Sequence, residues 1–260
     1  MLIPLHDGLP LRRIPFQVVT TTLIVLCVLV QLHTNGLGEE EAIRFAYAFG
    51  AIPAVILGHA DLARELTIIP PSWTPFTSIF LHEDWWHLLG NMVFLWVLGD
   101  NIEDAFGHWR FLAFCLICGI AAVFTHAASM PEVTIPLIGA SGVVSGVVAA
   151  YLLMHPRQKI WALLFGKIPV RFQAYWLLGA WGAMQVFFAF VGDDSNTAWF
   201  AHLGGLVVGA LLTPLFRRRD MPLFNHANVA PPAPEVLDAI RRRHRVLRAS
   251  GSPWTKRRPD

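Results

Sequence analysis

Six apolar runs stand out along the chain, at residues 16–32, 86–101, 109–128, 139–154, 173–191 and 198–216. Each is close to the roughly 20 residues (about 17 at the least) that a helix needs to cross the hydrocarbon core of a bilayer. Polar segments separate them, so the pattern predicts an all-α fold: a polytopic membrane helix bundle of six transmembrane helices. Runs 86–101 and 139–154 are short and interrupted by Gly, Asn or Ser, which suits helices inside a bundle better than helices facing lipid on all sides. The first run follows Arg12 and Arg13, and no small-x-small cleavage site comes after it, so it reads as an uncleaved anchor. Between the first two runs, segment 33–85 is long and carries apolar stretches at 45–57, 67–69 and 76–81 around Pro70-Pro71. A connection of that length is expected to be functional and to form short helices lying in the interface plane. The chain divides into an N-terminal flank (1–13), a membrane domain (14–216) and a tail (217–260).

Composition agrees with the pattern. Of 260 residues, 55% are hydrophobic and only 15% charged, where soluble domains carry about a quarter charged residues. The net charge of +2 hides an asymmetry: residues 217–260 hold 11 Lys/Arg against 4 Asp/Glu, and residues 1–216 hold 9 against 14. The basic tail, the N-terminal flank and loop 155–172 (Arg157, Lys159, Lys167, Arg171) fall on one side of a six-span topology. The excess of positive charge on cytoplasmic loops makes that side the cytoplasm. Both termini are therefore expected in the cytoplasm, with the bundle in a plasma or inner membrane and 33–85 outside. Turn 102–108 carries Glu103 and Asp104 on the cytoplasmic side without basic residues to match. The tail is expected to be solvated, with contact to anionic lipid headgroups as the sharper alternative; nucleic acid is not an expected partner. Cys27, Cys115 and Cys118 lie in apolar runs and read as reduced packing residues. Cys115-x-x-Cys118 lacks the further ligands of a metal site.

Polar groups inside spans are costly, so those present are functional candidates. They are His87 and Asn91 in the second run, Ser141 and Ser145 in the fourth, Gln185 in the fifth and His202 in the sixth. Runs two, four and six all run from outside to inside. His87, Asn91, Ser141 and His202 lie within about two helical turns of the start of their runs, hence in one layer near the outer face. His87 and Asn91, four apart, share a helix face. His202, Gly205 and Gly209 form one stripe, and Gly142 and Gly146 are a small-xxx-small pair that lets helix backbones approach closely. Such an approach is expected to bring His202 to Ser141. A serine hydroxyl becomes a nucleophile when an adjacent base takes its proton, and His87, Asn91 and a backbone N–H near Ser141 would donate to the developing oxyanion. Each residue also has a packing explanation: a serine bonding back to its own helix, an asparagine joining helices. Gln185 and His126 are assigned that structural role.

Other chemistries fit worse. His82-Glu83-Asp84-Trp85-Trp86-His87 is H-E-x-x-x-H, and the extra residue turns the second histidine roughly 140° from the first on a helix, which argues against a zinc site of the H-E-x-x-H kind. Two spans do not share an aspartate pair. Gly139-Ala140-Ser141-Gly142-Val143 is not the G-x-S-x-G elbow of soluble hydrolases.

Taken in order, these residues resemble the rhomboid family of intramembrane serine proteases. The matching motifs are Phe80-Leu81-His82, His87-x-x-x-Asn91, the turn Gly99-Asp100-Asn101-Ile102-Glu103-Asp104-Ala105-Phe106-Gly107, Gly139-Ala140-Ser141-Gly142, and Ala201-His202-x-x-Gly205-x-x-x-Gly209. They span about residues 70–216. The resemblance implies a Ser–His dyad without a third acid: Ser141 the nucleophile, His202 general base and acid. His87, Asn91 and the backbone around Gly139 and Ser141 then become oxyanion contributors, and His82 a structural position. It also implies sideways entry of substrate by span five and its cap loop. No metal or cofactor is implied; the expected partners are transmembrane protein substrates and the lipid bilayer. Many relatives carry an aromatic one turn after the nucleophile, packed on the dyad histidine. Here that position is Ser145, so His202 is expected either to be more mobile or to be packed by another aromatic. A non-catalytic binder of transmembrane helices is the alternative, and a channel a third.

Overall fold

A computed structural model describes residues 2–164, 167–191 and 198–224. Residues 225–260, nearly all of the basic tail, lie outside the described residues, as does loop 192–197; the chain divides into two units at Asn225/His226.

The six apolar runs form six helices: α1 (Val18–Asn35), α5 (Trp85–Phe106), α6 (His108–Ser129), α7 (Ser141–Met154), α8 (Ala174–Val191) and α9 (Trp199–Phe216). Four of them, α1, α6, α8 and α9, are each long and apolar enough to cross a membrane. Helix α5 has the length, but Asp100, Glu103 and Asp104 occupy its last two turns. Helix α7 has 14 residues, about 21 Å at 1.5 Å per residue, short of the ~30 Å hydrocarbon core. It is buried almost throughout, as expected for a central helix. Helix α5 differs, because Trp86, Leu89 and Trp96 expose one of its faces. Leu26, Leu29, Phe187, Phe190, Leu211 and Leu215 are likewise exposed, a belt of apolar side chains suited to lipid contact.

Segment 36–84 contains α2 (Glu39–Phe49), the single turns α3 (Pro53–Ile56) and α4 (Thr74–Thr77), and 3-10 turns at Pro71–Trp73 and Ser78–Phe80. These match the short helices expected there. Ala51 and Leu137 exchange backbone hydrogen bonds of 3.0 and 2.8 Å, which ties this segment to the connection between α6 and α7.

Three strands join the helices: β1 (Leu2–His6), β2 (Lys159–Leu164) and β3 (Ile168–Gln173), in an antiparallel sheet of order β1-β2-β3. Loop 155–172, read from sequence only as a basic connection, is this β2–β3 hairpin. Its two runs are rich in β-branched and aromatic residues around Gly166, a hairpin signal that hydropathy alone does not reveal. Arg171 stands opposite Trp161, with its guanidinium 5.5 Å from the indole centroid.

The acidic turn at the end of α5 acts as a clamp. Glu103, fully buried, accepts from Val19 N (2.9 Å), Thr20 N (2.8 Å) and the Thr20 hydroxyl (2.7 Å) at the start of α1. Asp104 Oδ1 accepts from the N–H groups of Arg12, Arg13 and Ile14. Glu103 satisfies backbone donors that the N-terminus of α1 leaves free, and Asp104 those of the non-helical segment before it, which explains acids on a face where charge bias favours bases. Gly107, at φ +83°, then turns the chain from α5 directly into α6.

Asp7 anchors β1 to the bundle. It is 6% exposed and accepts from the Tyr151 hydroxyl (2.5 Å) and from Asn101 Nδ2 (2.8 Å). Burial raises its pKa above the ordinary 3.8, outweighing the hydrogen bonds from Tyr151 and Leu9 that lower it. The native state thus holds this proton more tightly than the unfolded chain, and native stability falls as pH rises above the ordinary value. Wild type is expected to gain thermal stability relative to Asp7→Asn as pH falls from neutral toward the ordinary carboxylate value of 3.8, measured by melting in detergent along that range. A difference that does not change with pH refutes this assignment.

Candidate active site

Asp84 starts α5. Its extended backbone and its Oδ1, 2.7 Å from His87 N, form an N-cap, the favoured way for a short acidic side chain to satisfy a free helical donor. The cap sets the helix phase, so His87 falls in the first turn and Asn91 one turn later on the same face. Both line a cavity of about 920 Å³, together with Ser141, His202, His126 and Trp181. Topology alone predicted that His87, Asn91, Ser141 and His202 share one layer, and they share one cavity.

Ser141 is the first residue of α7. Val144 N bonds Ala140 O at 2.9 Å, which leaves the N–H groups of Ser141, Gly142 and Val143 at the open end of the helix. Gly139 precedes them at φ +126°, where a Cβ would come within 2.9 Å of the His87 ring; only glycine fits both the angle and the space. The N–H of Gly139 itself donates to Ser78 O at 2.9 Å. Its contribution is therefore this close approach, and the free donors are the next ones along the chain. His82 Nε2 accepts from Ala140 N at 3.4 Å and its ring meets His87 edge to face, so His82 supports the loop ahead of Ser141. Asn91 is 7% exposed, and among the described residues its buried Nδ2 has no hydrogen-bond partner. An unpaired buried donor is costly, and this one faces the cavity that Ser141 enters.

Close helix contact brings His202 to the site. A Cβ on Gly209 would lie 2.5 Å from Gly146 Cα, and one on Gly205 would strike the Gly142 carbonyl. All four glycines singled out from sequence thus sit at the α7–α9 contact, and Gly146 also admits Cys118. Among the described residues, no hydrogen bond within 3.5 Å joins Ser141 to His202. Catalytic contacts are commonly longer before substrate binds. Ser145 is buried, and its hydroxyl donates to Ser141 O at 2.7 Å. The ring of His202 is instead packed by Trp181, centroids 6.3 Å apart, and edge to face by Trp199 at 6.0 Å. The second of the two expectations for the Ser145 position is the one realised.

Two residues assigned a packing role from sequence lie at this site. His126 lines the cavity, and Gln185 Oε1 is 2.6 Å from His202 Nδ1. Runs two, four and six share one depth because they run inward. Helix α8 runs the other way, and Gln185 lies six residues before its end at Val191, which is the same layer. Among the described residues no cluster of three or more His, Cys, Asp or Glu is placed to hold a metal ion.

The chain is similar to Rhomboid protein 1, mitochondrial, of Saccharomyces cerevisiae, at 28% identity over 138 residues, 52% of this chain and 39% of that one. RHOMBOID-like protein 12, mitochondrial, of Arabidopsis thaliana matches at 27% over 161 residues, 56% of this chain and 46% of that one. Rhomboid protease GlpG of Salmonella choleraesuis (strain SC-B67) matches at 24% over 214 residues, 78% of this chain and 68% of that one. The chain thus spans less than half the length of either mitochondrial relative. The family model described as the Rhomboid domain matches residues 71–219, which takes in α5 to α9 and every motif gathered around the cavity. With more than half of its length matched by that domain, this multi-pass membrane protein belongs to the rhomboid family.

Proposed function

We propose that this chain is an intramembrane serine endopeptidase that cuts transmembrane segments of other membrane proteins near the outer interface. Ser141 is the nucleophile. His202 takes its proton as the hydroxyl adds to the scissile carbonyl, and returns it to the departing amine; water then hydrolyses the acyl-enzyme by the same exchange. The oxyanion is met by Asn91 Nδ2, His87 and the N–H groups at the start of α7. The observation that carries this reading is that Ser141, at the open end of a buried helix, shares one cavity with His202, His87 and the unpaired Asn91 amide.

The short α7 supports a site recessed within the membrane: a helix of about 21 Å leaves part of the ~30 Å core above Ser141, to be filled by a water-accessible cavity. Charge bias supports cytoplasmic termini and a cavity opening outside, in a plasma or inner membrane. A helical substrate hides its carbonyls, so preferred substrates are single-span proteins with helix-breaking residues near that interface. The basic tail would be solvated on the cytoplasmic side, with contact to anionic headgroups as the alternative. A non-catalytic binder of transmembrane helices is the competing reading; the presence of both Ser141 and His202 favours catalysis.

The test is incubation of a single-span reporter with the purified protein in liposomes, with product masses locating the cut. A cut inside or at the edge of the apolar segment is expected. Reporter that is captured but stays intact would establish the binder instead.

A further inference from the structure

The partner of His202 is more informative than a packing contact. Gln185 is 2% exposed, and its Oε1 lies 2.6 Å from His202 Nδ1. At its other end Nε2 donates to the carbonyl of Trp181, 3.3 Å away and one turn earlier on α8. That second bond decides which way round the amide sits. Reversing it would set the amide oxygen against the Trp181 carbonyl, two acceptors facing each other. With the oxygen toward His202, the ring must be the donor, because an amide oxygen only accepts. The neutral imidazole then carries its hydrogen on Nδ1 and its lone pair on Nε2, the nitrogen left for Ser141.

We propose that Gln185 is a positioning residue for the reaction: it holds His202 in the Nδ1–H tautomer with Nε2 directed toward Ser141, without itself taking a proton. This rests on Ser141 and His202 acting as nucleophile and base. Ring packing by Trp181 and Trp199 limits tilt of the imidazole but does not choose between tautomers; only the polar partner does. An amide there orients the base without adding the charge a carboxylate would. Because Gln185 sits on α8 while Ser141 and His202 sit on α7 and α9, the base is complete only while α8 lies against α9.

The experiment compares wild type, Gln185→Met and Gln185→Glu in liposomes by reporter cleavage across pH, melting temperature and rate of labelling by a serine-directed phosphonate. Methionine keeps the shape and removes the acceptor. Its kcat is expected to fall roughly 10²–10⁴-fold, the scale of losing tautomer control in a triad, with KM and melting little changed. Glutamate keeps an acceptor, so it is expected to retain kcat within about tenfold of wild type and to move the acid limb of the profile to higher pH, since a carboxylate favours the imidazolium. The other titratable groups turned toward His202, His87 on α5 and His126 on α6, are the same in all three proteins. Wild-type kcat in Gln185→Met overturns the proposal. If that variant does not fold, an unmoved acid limb in Gln185→Glu overturns it. Wild type that neither cleaves nor takes up the phosphonate removes the underlying dyad, and the proposal with it; wild type that labels no faster than Gln185→Met refutes the proposal alone.

Discussion

Ser141→Ala, His202→Ala and the double variant are expected to lose cleavage by nearly the same factor, roughly 10⁴–10⁶, because groups that act as one unit are grossly non-additive. Once the base is gone the hydroxyl is an ordinary alcohol, and once the hydroxyl is gone the base has no proton to take. What remains in all three is the oxyanion site at the start of α7 and substrate binding in the cavity. Both substitutions leave the helix contact intact, since neither side chain fills the α7–α9 interface, where the closest approaches are made by Gly142, Gly146, Gly205 and Gly209. His202→Ala does leave a gap beside Trp181 and Trp199, so melting temperature should be read alongside rate. Cleavage rates of the three proteins at matched lipid-to-protein ratio check this. A double variant much slower than either single one would mean that the two residues act separately.

Gly205→Val is expected to be the most damaging packing change. The added carbons meet the Gly142 carbonyl and Ser145 Cβ, the latter at 3.0 Å, and backbone cannot step aside as a flexible side chain can. Overpacking of this kind costs about 1–3 kcal/mol where the surroundings yield; here relief comes only by moving α9 off α7. That movement carries His202 away from Ser141, and a misplacement of about 1 Å between reacting groups can cost about 10²-fold in rate. Lower melting temperature and lower kcat are therefore expected together, with little residual activity. Gly179→Ala is the control: nothing lies within 4 Å of its added carbon, and exchanging helical glycine for alanine is neutral or favourable by up to about 1 kcal/mol. Equal melting of Gly205→Val and wild type would contradict the close α7–α9 contact.

How much of this was legible in the sequence depended on the signal involved. Helix positions followed from hydropathy because a bilayer imposes one length scale on every span, and all six runs became helices within a few residues of their predicted ends. Ser141, His202, His87 and Asn91 were visible because polar groups within apolar runs are few, and topology put them at one depth. The glycine stripes on α7 and α9 account for the approach of His202 to Ser141, and Gly139 for the approach of His87. The β-sheet was hidden because Lys159–Leu164 and Ile168–Gln173 lie in a basic connection, and charge bias assigned that connection a side without a structure. Glu103 and Asp104 looked anomalous for a cytoplasmic turn until the N–H groups at Arg12–Ile14 and at Val19 and Thr20 were seen bonded to them; such long-range capping has no local pattern. Gln185 reads from sequence as structural, because a glutamine in a span bonds to its own helix as readily as to another. It does both, through its two ends.

The measurement that bears most directly on the central claim is intact-mass analysis and peptide mapping of the purified protein after reaction with a serine-directed phosphonate in liposomes. One adduct per chain, on the peptide containing Ser141 and lost in His202→Ala, is the predicted result. An adduct elsewhere, or proteolysis of the reporter by a protein that takes up no phosphonate, would contradict Ser141 as the nucleophile.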